Sequence, residues 1–116
     1  MITGKVWGTT EDLWKTPFIE VHRLYIKPGM QCSNHCHAHK WNGFYVISGQ
    51  LTIVVSKNDY DLTDETVLVA GDFTAVKPGE YHRFVSHDET VEALEIYSPE
   101  ALSEDIIRKD CGGLVA

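Results

Sequence analysis

The sequence predicts an all-β fold of the sandwich or barrel class, and three observations carry that expectation. Apolar, β-branched and aromatic residues come in short runs. The runs are separated at near-regular intervals by clusters of Gly, Pro, Asn, Asp and Ser, and a single segment has helical character. With 116 residues the chain is read as one domain, 1–116, long enough for one core and too short for two.

The predicted strands are residues 18–26, 43–47, 51–56, 66–69, 82–85 and 91–97. Turn residues bound them: Gly29 after the first, Gly49 after the second, Gly71 after the fourth and Pro78-Gly79 before the fifth. Short strands of this kind bury one face each and need a second sheet, or closure on themselves, to do so. The helical segment is 103–110. Ser103 supplies a cap, Glu104 and Asp105 suit its positive end, Arg108 and Lys109 its negative end, and Gly112 terminates it.

A formal charge of −7 argues against nucleic-acid and anionic-membrane partners, both of which need a basic surface. No apolar segment approaches the ~20 residues of a membrane span, and the N-terminus lacks a signal-peptide apolar core, so a cytoplasmic location is expected. The three cysteines, Cys32, Cys36 and Cys111, are odd in number and form no disulfide framework.

Histidines carry the functional signal. His35 and His37 are two apart, so in an extended segment their side chains share a face and offer two imidazoles to one cation. His82, after the Pro-Gly turn, fits as a third ligand. Imidazole selects a divalent transition metal, with iron, zinc, nickel or manganese as the expected ions, over calcium. Cys36 points to the opposite face and is expected to pack as a small apolar residue. His39 shares the parity of His35 and His37 but is expected in a turn lining the pocket entrance. His22 and His87 are read as surface or satisfied core residues.

These segments resemble the two signature motifs of the cupin superfamily, over about residues 20 to 97. In the first, Gly29, His35, His37 and Gly49 fall in register, and Asn42 stands where glutamate is usual. In the second, Gly71, Gly79 and His82 match, Lys77 stands where proline is usual with Pro78 one place later, and Ser86 replaces asparagine. The resemblance implies a double-stranded β-helix, or jelly roll, and one metal held by His35, His37 and His82, with Asn42 as a weak ligand or a partner of metal-bound water. Replacing the carboxylate with an amide leaves the double charge of the ion uncompensated by protein, which strengthens it as a Lewis acid.

The all-histidine donor set is similar to that of thiol dioxygenases among cupins. Residues 102–108, following Glu95-Ile96-Tyr97, resemble the end of the cupin domain of type II mannose-6-phosphate isomerases, although the ligand-to-glycine spacing departs from that family. The leading expectation is therefore an enzyme of dioxygenase or isomerase type on a small, polar, metal-chelating molecule. The alternatives are a non-catalytic module for a sugar or carboxylate and a purely structural metal. Asn42 and Glu95 are the candidate catalytic residues, with the direction of Glu95 left open by its alternation. His39, Trp41, Phe44, Tyr81, Phe84 and Tyr97 are the candidate pocket residues. A homodimer formed through the segment around Val6, Trp7 and Leu13 is expected, because small jelly rolls expose edge strands.

Overall fold

The computed structural model describes residues 1–57, 62–99 and 114. Nine strands run β1 (Ile2–Lys5), β2 (Gly8–Lys15), β3 (Glu20–Ile26), β4 (Trp41–Ser48), β5 (Leu51–Ser56), β6 (Thr63–Leu68), β7 (Phe73–Val76), β8 (His82–Ser86) and β9 (Val91–Ser98). They form a six-stranded sheet, β1-β2-β3-β9-β4-β7, and a three-stranded sheet, β6-β5-β8. All pairings are antiparallel. This is the expected cupin jelly roll, and there is no helix among the described residues. The helix expected at 103–110 lies outside them.

The two sheets pack through alternate residues. Leu24 and Ile26 on β3, Phe44 and Val46 on β4, Leu51 and Ile53 on β5, Phe84 on β8 and Val91 and Ala93 on β9 are all buried. Alternation leaves their neighbours facing out, as with exposed Tyr25 and Tyr45. Each such aliphatic side chain stabilises the fold by roughly 1.5–3 kcal/mol relative to exposure.

Three strands lie outside the predicted runs. The segment 1–15 pairs as the hairpin β1–β2 and extends the large sheet onto β3, with Thr10 opposite Leu24. Strand β7 pairs with β4 from Tyr45 to Asn42. The first predicted run begins late: Phe18 sits in the β2–β3 turn, where the Thr16 hydroxyl accepts from the amides of Phe18 and Ile19.

Gly49 shows why a motif glycine is needed in the β4–β5 turn. Its φ is +85°, and a Cβ there would lie 2.6 Å from the Thr90 carbonyl oxygen.

Candidate metal centre and its cavity

The chain between β3 and β4 is not a regular strand, yet it is extended where the histidines lie. His35 exchanges backbone hydrogen bonds with His82, at 3.0 Å and 2.8 Å, forming a single bridge onto β8. The Gly79 amide then donates to the His37 carbonyl at 2.8 Å. Gly79 has φ +86°, a conformation that only glycine adopts without strain, so the Pro78-Gly79 turn both delivers His82 and pins His37.

These contacts bring the three imidazoles together. Ring centroids are 5.1 Å apart for His35 and His37, 4.7 Å for His35 and His82, and 5.6 Å for His37 and His82. One nitrogen from each lies within 4.8 Å of the others. Two of the rings are oriented by backbone carbonyls: His35 Nδ1 is 2.8 Å from the Ser33 oxygen and His82 Nδ1 is 3.0 Å from the Glu80 oxygen. A proton on each Nδ1 leaves the Nε2 lone pair free, the arrangement that metal-ligating histidines commonly show. His37 Nε2 is buried without a hydrogen-bond partner, an orphaned acceptor of the kind a cation satisfies.

Asn42 completes the fit. Its Oδ1 lies 2.8 Å from His82 Nε2, while its Nδ2 donates to Glu95 Oε2 at 3.3 Å. With His82 Nδ1 engaged by a carbonyl, Nε2 and Oδ1 are two acceptors face to face, which a proton or a shared cation reconciles. The donor set of three imidazoles and one amide oxygen suits a transition-metal ion.

Electrostatics agree. Burial lowers the His82 pKa below its ordinary value, with the Glu80 carbonyl opposing the fall. Burial also lowers His37, helped by His35, His82 and Lys40; the nearby Asn42 side chain opposes this without hydrogen-bonding Nε2. Neutral imidazole is the metal-binding form.

Glu95, whose direction the sequence left open, points inward. Val91, Ala93 and Glu95 are the buried positions of β9, and Glu95 is 8% exposed. Burial raises its carboxyl above the usual carboxylate range, while hydrogen bonds to the Asn42 amide and Tyr97 hydroxyl oppose the rise. Burial, followed by the negative charge of Glu95, pushes the Tyr97 hydroxyl up in turn.

A cavity of about 490 Å³ opens beside this cluster, with His35, Glu95, Tyr97, Trp7, Phe84 and Lys5 among its lining residues. The expected pocket residues divide. Tyr97 and Phe84 line the cavity, and Tyr97 also borders a second cavity of about 400 Å³ that includes exposed His39. Phe44 is instead core, 1% exposed, with its ring 6.3 Å from His82. Half-buried Trp41 borders none of these cavities, and Tyr81 turns to solvent at 54% exposure because it lies just before the inward-facing His82.

His87 is a satisfied surface residue, its Nε2 2.7 Å from Thr52 Oγ1. His22 is different: it lines the main cavity, paired across strands with Glu95. Its Nδ1 is 2.9 Å from Asp12 Oδ1 and its Nε2 3.3 Å from Glu20 Oε1. The readable signal was its parity with Leu24 and Ile26, which places it on the inward face of β3.

The described residues contain no helix long and apolar enough to cross a membrane. Among known proteins, the chain is 26% identical over 104 residues to mannose-1-phosphate guanylyltransferase of Klebsiella pneumoniae, covering 87% of this chain and 20% of the relative. It thus spans about a fifth of that protein's length. Its fold matches the capsular polysaccharide assembling protein CapF of Staphylococcus aureus, with TM-score 0.76 and 22% identity over 89% of this chain and 29% of that one. It also matches KdgF of Halomonas sp., with TM-score 0.73 and 15% identity over 87% and 89% of the two chains. The Cupin domain family pattern matches residues 22–97, which include all three histidines, Asn42 and Glu95. The chain belongs to the cupin domain family.

Proposed function

We propose that this cupin is a metal-dependent enzyme acting on a small polar molecule that enters the cavity beside His35, with proton transfer by Glu95 at the centre of an isomerase-type reaction. One observation carries the reading: three imidazoles converge next to a buried carboxyl group that faces the same cavity. His35, His37 and His82 would hold the ion, with the Asn42 oxygen as a weak fourth ligand. A bound iron, zinc, nickel or manganese ion supplies Lewis acidity toward a carbonyl or hydroxyl group, and iron adds the dioxygen chemistry of the dioxygenase alternative.

The remaining chemistry belongs to the chain. Glu95 takes and returns a proton at its carboxyl group, which burial holds above the usual carboxylate range. The Asn42 amide and the Tyr97 hydroxyl orient it. Trp7 and Phe84, edge to face with centroids 4.9 Å apart, form an apolar wall that limits water on one side.

The second reading is a module that binds a sugar or carboxylate without chemistry. It draws support from the names of two similar proteins, a mannose-1-phosphate guanylyltransferase and a capsular polysaccharide assembling protein. Deuterium exchange separates the two. Metal-loaded protein is incubated in D₂O with sugars, sugar phosphates, thiols and small carboxylates, and the compounds are examined by mass spectrometry. The enzyme reading expects one class to gain solvent deuterium, and expects Glu95→Gln to stop this while keeping its metal. A compound that raises the melting temperature yet never exchanges or reacts favours the binding module.

The proposal extends to assembly and location. Strand β1 is a free sheet edge, and Ile2, Val6, Leu13, Trp14 and Phe18 near it are exposed, which supports a homodimer. Light scattering at micromolar concentration is expected to give twice the chain mass. Cys32 and Cys36 are free thiols, which supports a reducing cytoplasm.

A further inference from the structure

The charges around the main cavity do not match those of the chain. The protein carries a net −7, yet Glu95 is the only carboxylate among the described residues lining this cavity. That carboxylate is already met by the Asn42 Nδ2–H and the Tyr97 hydroxyl. His22 lies beside Asp12 and Glu20, with ring nitrogens 2.9 Å and 3.3 Å from their carboxylate oxygens. Lys5 is the exception: it lines the cavity from β1 with no carboxylate within 4.0 Å among the described residues. The described lysines that do form ion pairs, Lys15 and Lys57, lie off this cavity.

The rest of the lining is neutral but rich in hydrogen-bonding groups. Thr10, Gln31 and Ser33 offer hydroxyl and amide groups, facing an apolar wall that contains Trp7. A polar lining with one aromatic wall suits a molecule carrying several hydroxyls and a C–H face. His35, the member of the imidazole cluster that lines the cavity, adds no negative charge of its own.

We infer that the cavity selects an anionic polyhydroxylated small molecule, with Lys5 receiving its carboxylate or phosphate and Trp7 its C–H face. This deepens the proposed function by naming the ligand class of that site. Lys5 is a specificity residue here. It acts by charge on the bound anion and takes no part in proton transfer.

The test is calorimetric titration of metal-loaded protein with galacturonate, galactose 6-phosphate and neutral galactose, with metal content measured on the same samples. At least one of the two anions is expected to bind about tenfold or more tighter than galactose, and which one does so identifies the anionic group. Lys5→Gln should reduce that preference about fivefold while leaving galactose binding unchanged. Lys77→Gln makes the same change in net charge away from the cavities and should leave the preference intact. The inference is overturned if galactose binds as well as both anions, if none of the three binds, or if Lys5→Gln weakens anion and neutral sugar alike. Failure of the metal site would appear separately, as protein without bound metal.

Discussion

Two groups of histidine lie on either side of Glu95, and they are built on opposite electrostatic plans. Among the described residues, His35, His37 and His82 have no carboxylate within 4.0 Å; the polar groups beside their ring nitrogens are backbone carbonyls, one hydroxyl and one amide. His22 stands alone between Asp12 and Glu20, with Glu95 across the sheet. A histidine held by carboxylates has its charge partners within the protein. Three histidines with no carboxylate beside them keep lone pairs that a cation can take. The difference teaches that residue type says less about metal binding than the company each imidazole keeps.

The largest effect expected from this contrast is on thermal stability. Saturating zinc should stabilise the wild-type protein by roughly 2.7 kcal/mol at about a hundredfold excess over Kd, or about 11 °C in melting temperature. His37→Ala should abolish the shift, whereas His22→Ala should keep it. A shift that survives in His37→Ala would erase the distinction between the two groups.

Asn42 gives the next effect, because it touches both sides of the comparison. Asn42→Glu places a second carboxyl group against Glu95 and removes the amide that donates to Oε2. Without metal the variant should be destabilised by about 1–3 kcal/mol, the usual cost of leaving a buried acceptor unpaired. With metal it should bind more tightly, since an anionic ligand replaces a neutral one. Chemical denaturation with zinc and with chelator checks both signs; equal destabilisation in the two would show that position 42 does not reach the ion.

Acid should act on the same group of three. Protonated imidazole cannot ligate, so metal should be released as pH falls below roughly 6, several protons entering per ion lost. Because burial lowers the pKa of His37 and His82, the folded protein binds protons there less readily than the unfolded chain. Stability of the metal-free protein should therefore rise with pH through the window just below the ordinary histidine value. Metal affinity that stays flat between about pH 7 and pH 5 would contradict histidine ligation.

The smallest effect concerns the cysteines flanking the site. Burial raises Cys32 to about 11, and its Sγ accepts from the Phe84 amide at 3.2 Å. In a Cys111→Ser background, iodoacetamide at about pH 8 should label the partly exposed Cys36 well before Cys32. Equal labelling would show that the segment 31–37 does not stay docked on β8.

Much of this was legible in the sequence because the site is assembled from short local rules. The two-residue spacing of His35 and His37 and the Pro78-Gly79 turn before His82 are visible without a structure, and both survive in the fold. What the sequence concealed depends on pairing between distant strands. Glu95 faces inward because β9 pairs with both β3 and β4, and its own alternation could not say so. Lys5 and Trp7 reach the cavity only because the β1–β2 hairpin extends the sheet beside β3. Tyr81 faces solvent because it immediately precedes the inward-facing His82, and Phe44 faces the core from β4, a direction set by the pairing of β4 with β7 and β9.

The central claim is that His35, His37 and His82 hold one metal ion, and metal analysis of purified variants tests it most directly. Close to one transition-metal ion per chain is expected in the wild type and in His22→Ala and His87→Ala. Almost none is expected in His35→Ala, His37→Ala and His82→Ala. Full occupancy in His82→Ala, or loss of metal in His22→Ala while its fold is intact, would contradict it.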